Sequence, residues 1–126
     1  PNMGAGSSHS QLSLNITANS YSSSFFPTHE NHLRAEPLTK AVRKELVPVF
    51  PLSTSLPPEI ACRVGAMKID TQGFELEVLK GLGDAFPCLS VIQVELSAVE
   101  CYVGAPSLEE VDHFIQNTLG FRRVLL

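Results

Sequence analysis

The clearest pattern in the first third of the chain is a strict alternation from Gln11 to Ala18. Leu12, Leu14, Ile16 and Ala18 fall on one side, and Gln11, Ser13, Asn15 and Thr17 on the other. Successive side chains of a strand point to opposite faces, so this pattern predicts a half-buried β-strand. Gly4-Ala-Gly-Ser-Ser8 ahead of it carries the residues of a tight bend or hairpin. From Asn19 to Thr28 the chain turns to serine, asparagine and tyrosine and ends on Phe25-Phe26-Pro27. That segment has two readings, a flexible loop or a hydroxyl-rich lip over a pocket. Leu38, Val42 and Leu46, at i, i+4 and i+8 after Pro37, predict a helix. Val47 to Leu52 predicts a short strand, which Pro48 and Pro51 confine to a sheet edge.

The second half is better defined. Val64 to Ile69 is an apolar run of strand length that stops at Asp70. Phe74, Val78, Leu79 and Leu82 then share one helical face, and Gly81 and Gly83 end the helix. Val91 to Leu96 is a second strand, followed by Ser97. Ser107-Leu-Glu-Glu110 has the spacing of a capping box. Behind it Leu108, Val111, Phe114, Ile115 and Leu119 form a helical stripe closed by Gly120, and Phe121 to Leu126 predicts a third strand. Apolar strands joined by helical connections are βαβ units, so the fold class is α/β with mostly parallel strands and flanking helices. Right-handed crossovers lay those helices over the sheet faces.

Composition changes this picture little. The 126 residues fit one domain, and 44% apolar content suffices for a packed core. A net charge of -4 argues against a nucleic-acid surface. No apolar run approaches the ~20 residues that cross a bilayer. Cys62, Cys88 and Cys101 are an odd set without CxxC or metal-ligand spacing, so no metal is expected and reduced thiols are. Together these features lead us to expect a cytoplasmic protein with no membrane partner.

The candidate chemistry sits at the strand ends. Open parallel sheets bind ligands outside the carboxyl ends of their strands. Asp70, and Gln72 in the turn after it, arrive there from one strand, and Glu95 and Ser97 from the next. Adjacent strands lie about 4.8 Å apart, so both ends can address one small molecule. Glu75 falls in the first helical turn, where a carboxylate complements the helix dipole. Each has a plainer reading: Asp70 as a helix cap, Glu75 as a surface residue, and Lys68 as a solvated strand residue or the partner of Glu95.

Lys68 to Gly81, KIDTQGFELEVLKG, resembles the central K-I-D-x-[QE]-G-x-E-x-x-x-L-x-G motif of the FkbM family of S-adenosylmethionine-dependent methyltransferases. Lys68, Ile69, Asp70, Gln72, Gly73, Glu75, Leu79 and Gly81 match, eight positions in fourteen. Asn2, Gly4, the strand from Leu12 to Ala18, Asn19 and Ser22-Ser23-Ser24 resemble the family's upstream arrangement. Val91 to Leu96 is similar to its following strand, with Glu95 at the matching glutamate. Tyr102 and Gly104 match a Y-x-G turn of some members more weakly.

The resemblance implies a Rossmann-like class I methyltransferase sheet and methyl transfer to a hydroxyl of a sugar or natural-product-like acceptor. It implies catalytic roles for Asp70, Gln72 and Glu95, with Asp70 accepting or orienting the hydroxyl proton. Asn2, Asp70 and Gln72 are implied on the S-adenosylmethionine side, and Asn19, Ser23, Ser24, Glu75 and Ser97 on the acceptor side. There are two departures from the family pattern. Leu52 is followed by Ser53 where the family often has Leu-Asp. The glycine-rich turn after the first strand, and the acidic residue ending the second, are absent, and Gly4-Ala-Gly6 is not flanked as such a turn would be. Residues 1–126 are therefore expected to be a partial domain, truncated on its amino-terminal side, with an unpaired sheet edge open to self-association. The competing expectation is a catalytically silent fragment that serves as a structural or interaction module.

Overall fold

The computed structural model describes residues 2–124. In chain order it contains β1 (Gly4–Ala5), β2 (Ser10–Thr17), α1 (Glu30–Ala35), β3 (Ala41–Phe50), α2 (Leu52–Ser55) and α3 (Pro58–Ala61), followed by β4 (Ala66–Ile69), α4 (Glu75–Lys80), β5 (Val91–Val94) and α5 (Leu108–Asn117). The α/β class holds, but the strands form two sheets, one mixed and one parallel, rather than one mostly parallel sheet. In the first, ordered β1-β3-β2, the long pairing of β2 with β3 is antiparallel and β1 joins the far end of β3 in parallel. In the second, β4 and β5 run parallel, from Ala66 opposite Val91 to Ile69 opposite Val94.

The strand β2 forms where the alternation predicts one, but its faces do not sort as expected: Leu12, Leu14 and Ile16 are half-buried, polar Asn15 and Thr17 are buried, and Ala18 is exposed beyond the strand. The helix expected over Leu38 to Leu46 does not form: Pro37–Thr39 is a short 3-10 turn, and the rest belongs to β3. A spacing of four residues is also an even number, so Val42 and Leu46 share one face of a strand as readily as of a helix. Pairing with β2 decides the matter, since it takes up the backbone groups of β3 from Ala41 to Val49. Pro48 is tolerated because β1 reaches only Val49 and Phe50 on the other side, which leaves β3 an edge strand for most of its length.

The core gathers where α4 crosses the two sheets. Val49, Ile69, Phe74, Val78, Leu79 and Val111 are buried together, with Phe25 and Phe26 packed on Phe74 at ring-centroid distances of 4.7 and 6.0 Å. Gly81 is required at the end of α4, because a Cβ there would meet the Gly6 carbonyl oxygen at 2.0 Å. The α5 capping box forms as predicted, with the Ser107 side chain accepting from Glu110 N and the Glu110 side chain from Ser107 N. The third strand expected from Phe121 does not appear in the described residues: Phe121 N donates to Ile115 O (3.1 Å) and closes the helix, and residues 121–124 are irregular. Leu125 and Leu126 lie outside the described residues.

Candidate active site

The parallel ladder continues one step past β4, because Glu95 N donates to Ile69 O (3.0 Å). Asp70 and Glu95 therefore leave the sheet side by side. The turn that follows Asp70 is unusual. Gln72 has φ of 56° and Gly73 φ of 97°, so two successive residues are left-handed and only the second is a glycine. Such a conformation persists only where the surroundings enforce it.

Glu75 does much of that enforcing. Its Oε1 accepts from Thr71 N (2.9 Å), Gly73 N (3.1 Å) and Thr71 Oγ1 (3.2 Å), and the residue is 3% exposed. Neither plainer reading from the sequence therefore applies. Glu75 is not a surface residue, and Asp70 does not cap α4, whose N-cap position is Phe74. The Ser24 hydroxyl adds a bond from β2's side of the molecule, donating to Gln72 O at 2.6 Å.

Around Asp70 runs a chain of polar side chains. Lys68 Nζ lies 3.0 Å from Asp70 Oδ2 and 3.9 Å from Glu95 Oε2, so the cross-strand pairing with Glu95 is present. Gln72 Nε2 donates to Asp70 Oδ1 (2.8 Å), and the Tyr102 hydroxyl donates to Gln72 Oε1 (2.7 Å). The Lys68 hydrogen bond holds the Asp70 carboxyl below its ordinary value. It outweighs partial burial, which acts the other way, and Gln72 adds to it. The same bond raises Lys68. Burial, reinforced by the nearby Cys101, Glu75 and Asp70, pushes Tyr102 up to about 12, so its hydroxyl stays protonated.

These groups line a cleft of about 320 Å³, walled by the carboxyl ends of β4 and β5 and by the segment leading into α5. Asp70, Gln72, Glu75, Glu95 and Ser97 all border it, so five of the residues singled out in the sequence meet in one place. Asn19, Ser23 and Ser24 do not border it. Asn19 bonds Thr17 Oγ1 (2.8 Å) and Ser22 Oγ (2.8 Å), Ser23 Oγ donates to Ser20 O (2.6 Å), and Ser24 is buried. The polar stretch is thus a hydrogen-bonded turn, neither a flexible loop nor a lip over the cleft. Asn2 is exposed ahead of β1 and also lies off the cleft.

Sequence reading undervalued Tyr102. Its only signal was the Tyr-x-Gly spacing, which the structure explains: Ala105 N donates to Tyr102 O (3.2 Å), and Gly104 takes φ of 80° within that turn. Gly4 and Gly6 do not form a ligand cradle. A Cβ on Gly4 would meet Phe25 and Val49 at 3.3 Å, and one on Gly6 would meet Val49 at 2.6 Å. Their missing side chains make room for the protein's own core.

The cleft lies at the carboxyl ends of adjacent parallel strands, the place where open α/β sheets commonly bind ligands. The model of the methyltransferase FkbM domain matches residues 2–123, and the chain belongs to that family. No curated protein and no solved structure matches it. Family membership makes the reaction class methyl transfer from a methyl donor. Among the described residues, no helix is long and apolar enough to cross a membrane.

Proposed function

We propose that the Asp70 cleft is the acceptor side of the active site of an S-adenosylmethionine-dependent O-methyltransferase, acting on a hydroxyl of a sugar or natural-product-like small molecule. The observation that carries this reading is Asp70 itself, an ionised carboxylate held on both oxygens by Lys68 and Gln72 and facing an open cleft beside Glu95. S-adenosylmethionine supplies a methyl carbon on a positively charged sulfur, and the carboxylates Asp70 and Glu95 suit a cation at that place. A carboxylate held below its ordinary value is a weak base toward a resting hydroxyl. It is adequate once bond formation to carbon makes that oxygen acidic, so Asp70 first orients the hydroxyl and takes its proton late. Gln72 and Glu95 position the reacting groups, and much of the rate comes from that alignment. Ser97 faces the acceptor side.

The space beside Gly4 and Gly6 is filled by Phe25 and Val49, so these two glycines do not cradle the methyl donor. That same observation favours a second reading, in which the chain is a catalytically silent structural module. The free thiols Cys62, Cys88 and Cys101 support a cytoplasmic setting for either.

The discriminating experiment incubates the native protein with methyl-labelled S-adenosylmethionine and a panel of glycosides and polyols. Label is expected in an acceptor hydroxyl, and Asp70→Asn is expected to lower transfer by roughly 10²-fold or more, the range of a lost acid–base group. Transfer undiminished in Asp70→Asn would remove Asp70 from the mechanism, and no transfer to any acceptor would favour the silent module.

A further inference from the structure

We propose that Tyr102 is a positioning residue of this site, fixing which end of the Gln72 amide faces Asp70 and thereby holding Asp70 in its working geometry. The inference rests on the reading that Asp70 acts at the reacting centre. Tyr102 is 4% exposed, and the acceptors within reach of its hydroxyl are Gln72 Oε1 at 2.7 Å and Ser22 O at 3.2 Å. The opposite amide orientation would set Oε1 against Asp70 Oδ1, placing two acceptors 2.8 Å apart. The amide is thus fixed from both ends, by a donor on its oxygen and an acceptor on its nitrogen.

Tyr102 is itself held rigidly. Its backbone forms a bridge with Thr28, Val103 N donates to Pro27 O (2.8 Å), and the His32 ring stands edge-on to the phenol at 5.6 Å. It also braces the turn from beneath, since a Cβ on Gly73 would meet Ala105 at 3.0 Å and Tyr102 at 3.4 Å. With Ser24 bonded to the Gln72 carbonyl, the left-handed Gln72 is clamped at its backbone and at its amide by two distant segments. No ligand contact is required of Tyr102 or Ser24. They act through Gln72.

The groups facing Asp70 are Lys68 from β4, Glu95 beyond β5, Gln72 and Glu75 from the turn and α4, and Tyr102 with Glu100 from the segment before α5. Carbon-13 titration of the Asp70 carboxyl in the labelled native protein reads their balance. Wild type is expected to titrate below the ordinary range, and Tyr102→Phe to move the midpoint upward while exchange of the Gln72 side-chain amide protons accelerates. Gln72→Leu leaves the buried phenol in place and is expected to move Asp70 upward as well. The double variant should then move it no further than Gln72→Leu alone, because both changes break one relay. Should Tyr102→Phe not fold, Gln72→Leu still decides. An unmoved Asp70 midpoint in Gln72→Leu, an unmoved midpoint in folded Tyr102→Phe, or additive shifts in the double variant would each overturn the proposal. Methyl transfer is not read in this experiment, so its absence would count against the proposed function and not against the relay.

Discussion

Glu75 borders the cleft and also shapes it through the turn it holds. Its carboxylate satisfies two backbone N–H groups in a turn where no regular ladder is available. Glu75→Ala leaves those part-buried groups without their partner, and we expect a loss of about 2 kcal/mol in urea denaturation. Glu75→Gln keeps an acceptor oxygen and should cost about 1 kcal/mol. Asp70 gives a pH signature instead. Its folded carboxyl lies below the ordinary 3.8, so its interactions stabilise the fold fully above that value. The contribution is lost as pH falls through the lower folded value. The stability advantage of wild type over Asp70→Asn should therefore be constant near neutrality and vanish in acid, as denaturation midpoints across pH would show. That Asp70, Gln72, Glu95 and Ser97 meet at one cleft was legible because strand ends are predictable from apolar runs. The roles of Ser24 and Tyr102 were not, because their partners are 48 and 30 residues away.

Among the elements, α5 is the one whose start is written most plainly in the sequence. Both halves of its capping box are made, and Ser107→Ala should cost about 1 kcal/mol, measured as a shift in thermal midpoint. Its Val111 is fully buried against the core, so fraying at this cap loosens the wall of the cleft as well. The β3 strand is the opposite case. Val42 and Leu46, which suggested a helix, are 62% and 69% exposed, so neither reports a buried face at all. Apolar spacing informs only where the apolar residues are buried, and here the ladder with β2 decided the structure. The same limit applies to Phe121, an apolar residue used to finish a helix rather than to begin a strand.

For the whole molecule, the α/β class was legible from the alternation of apolar strands with helical stripes, but the division into two sheets was not. It depends on the antiparallel return of β3, and strand direction leaves no mark in local periodicity. Among the described residues, β4 and β5 pair only with each other, so each presents an unpaired edge. The free side of β3 carries Arg43, Lys44 and Glu45, charges of the sort that discourage edge-to-edge pairing. Association through the β4 and β5 edges should then appear as a mass that rises with concentration in light scattering, and a concentration-independent monomer with a sharp two-state melt would contradict it.

The central claim is that the cleft at Asp70 is a methyl-transfer site, and calorimetric titration of the native protein with S-adenosylmethionine tests it most directly. The predicted result is saturable binding that weakens in Asp70→Ala while the variant remains folded. Absence of binding, or binding indifferent to Asp70, would contradict it.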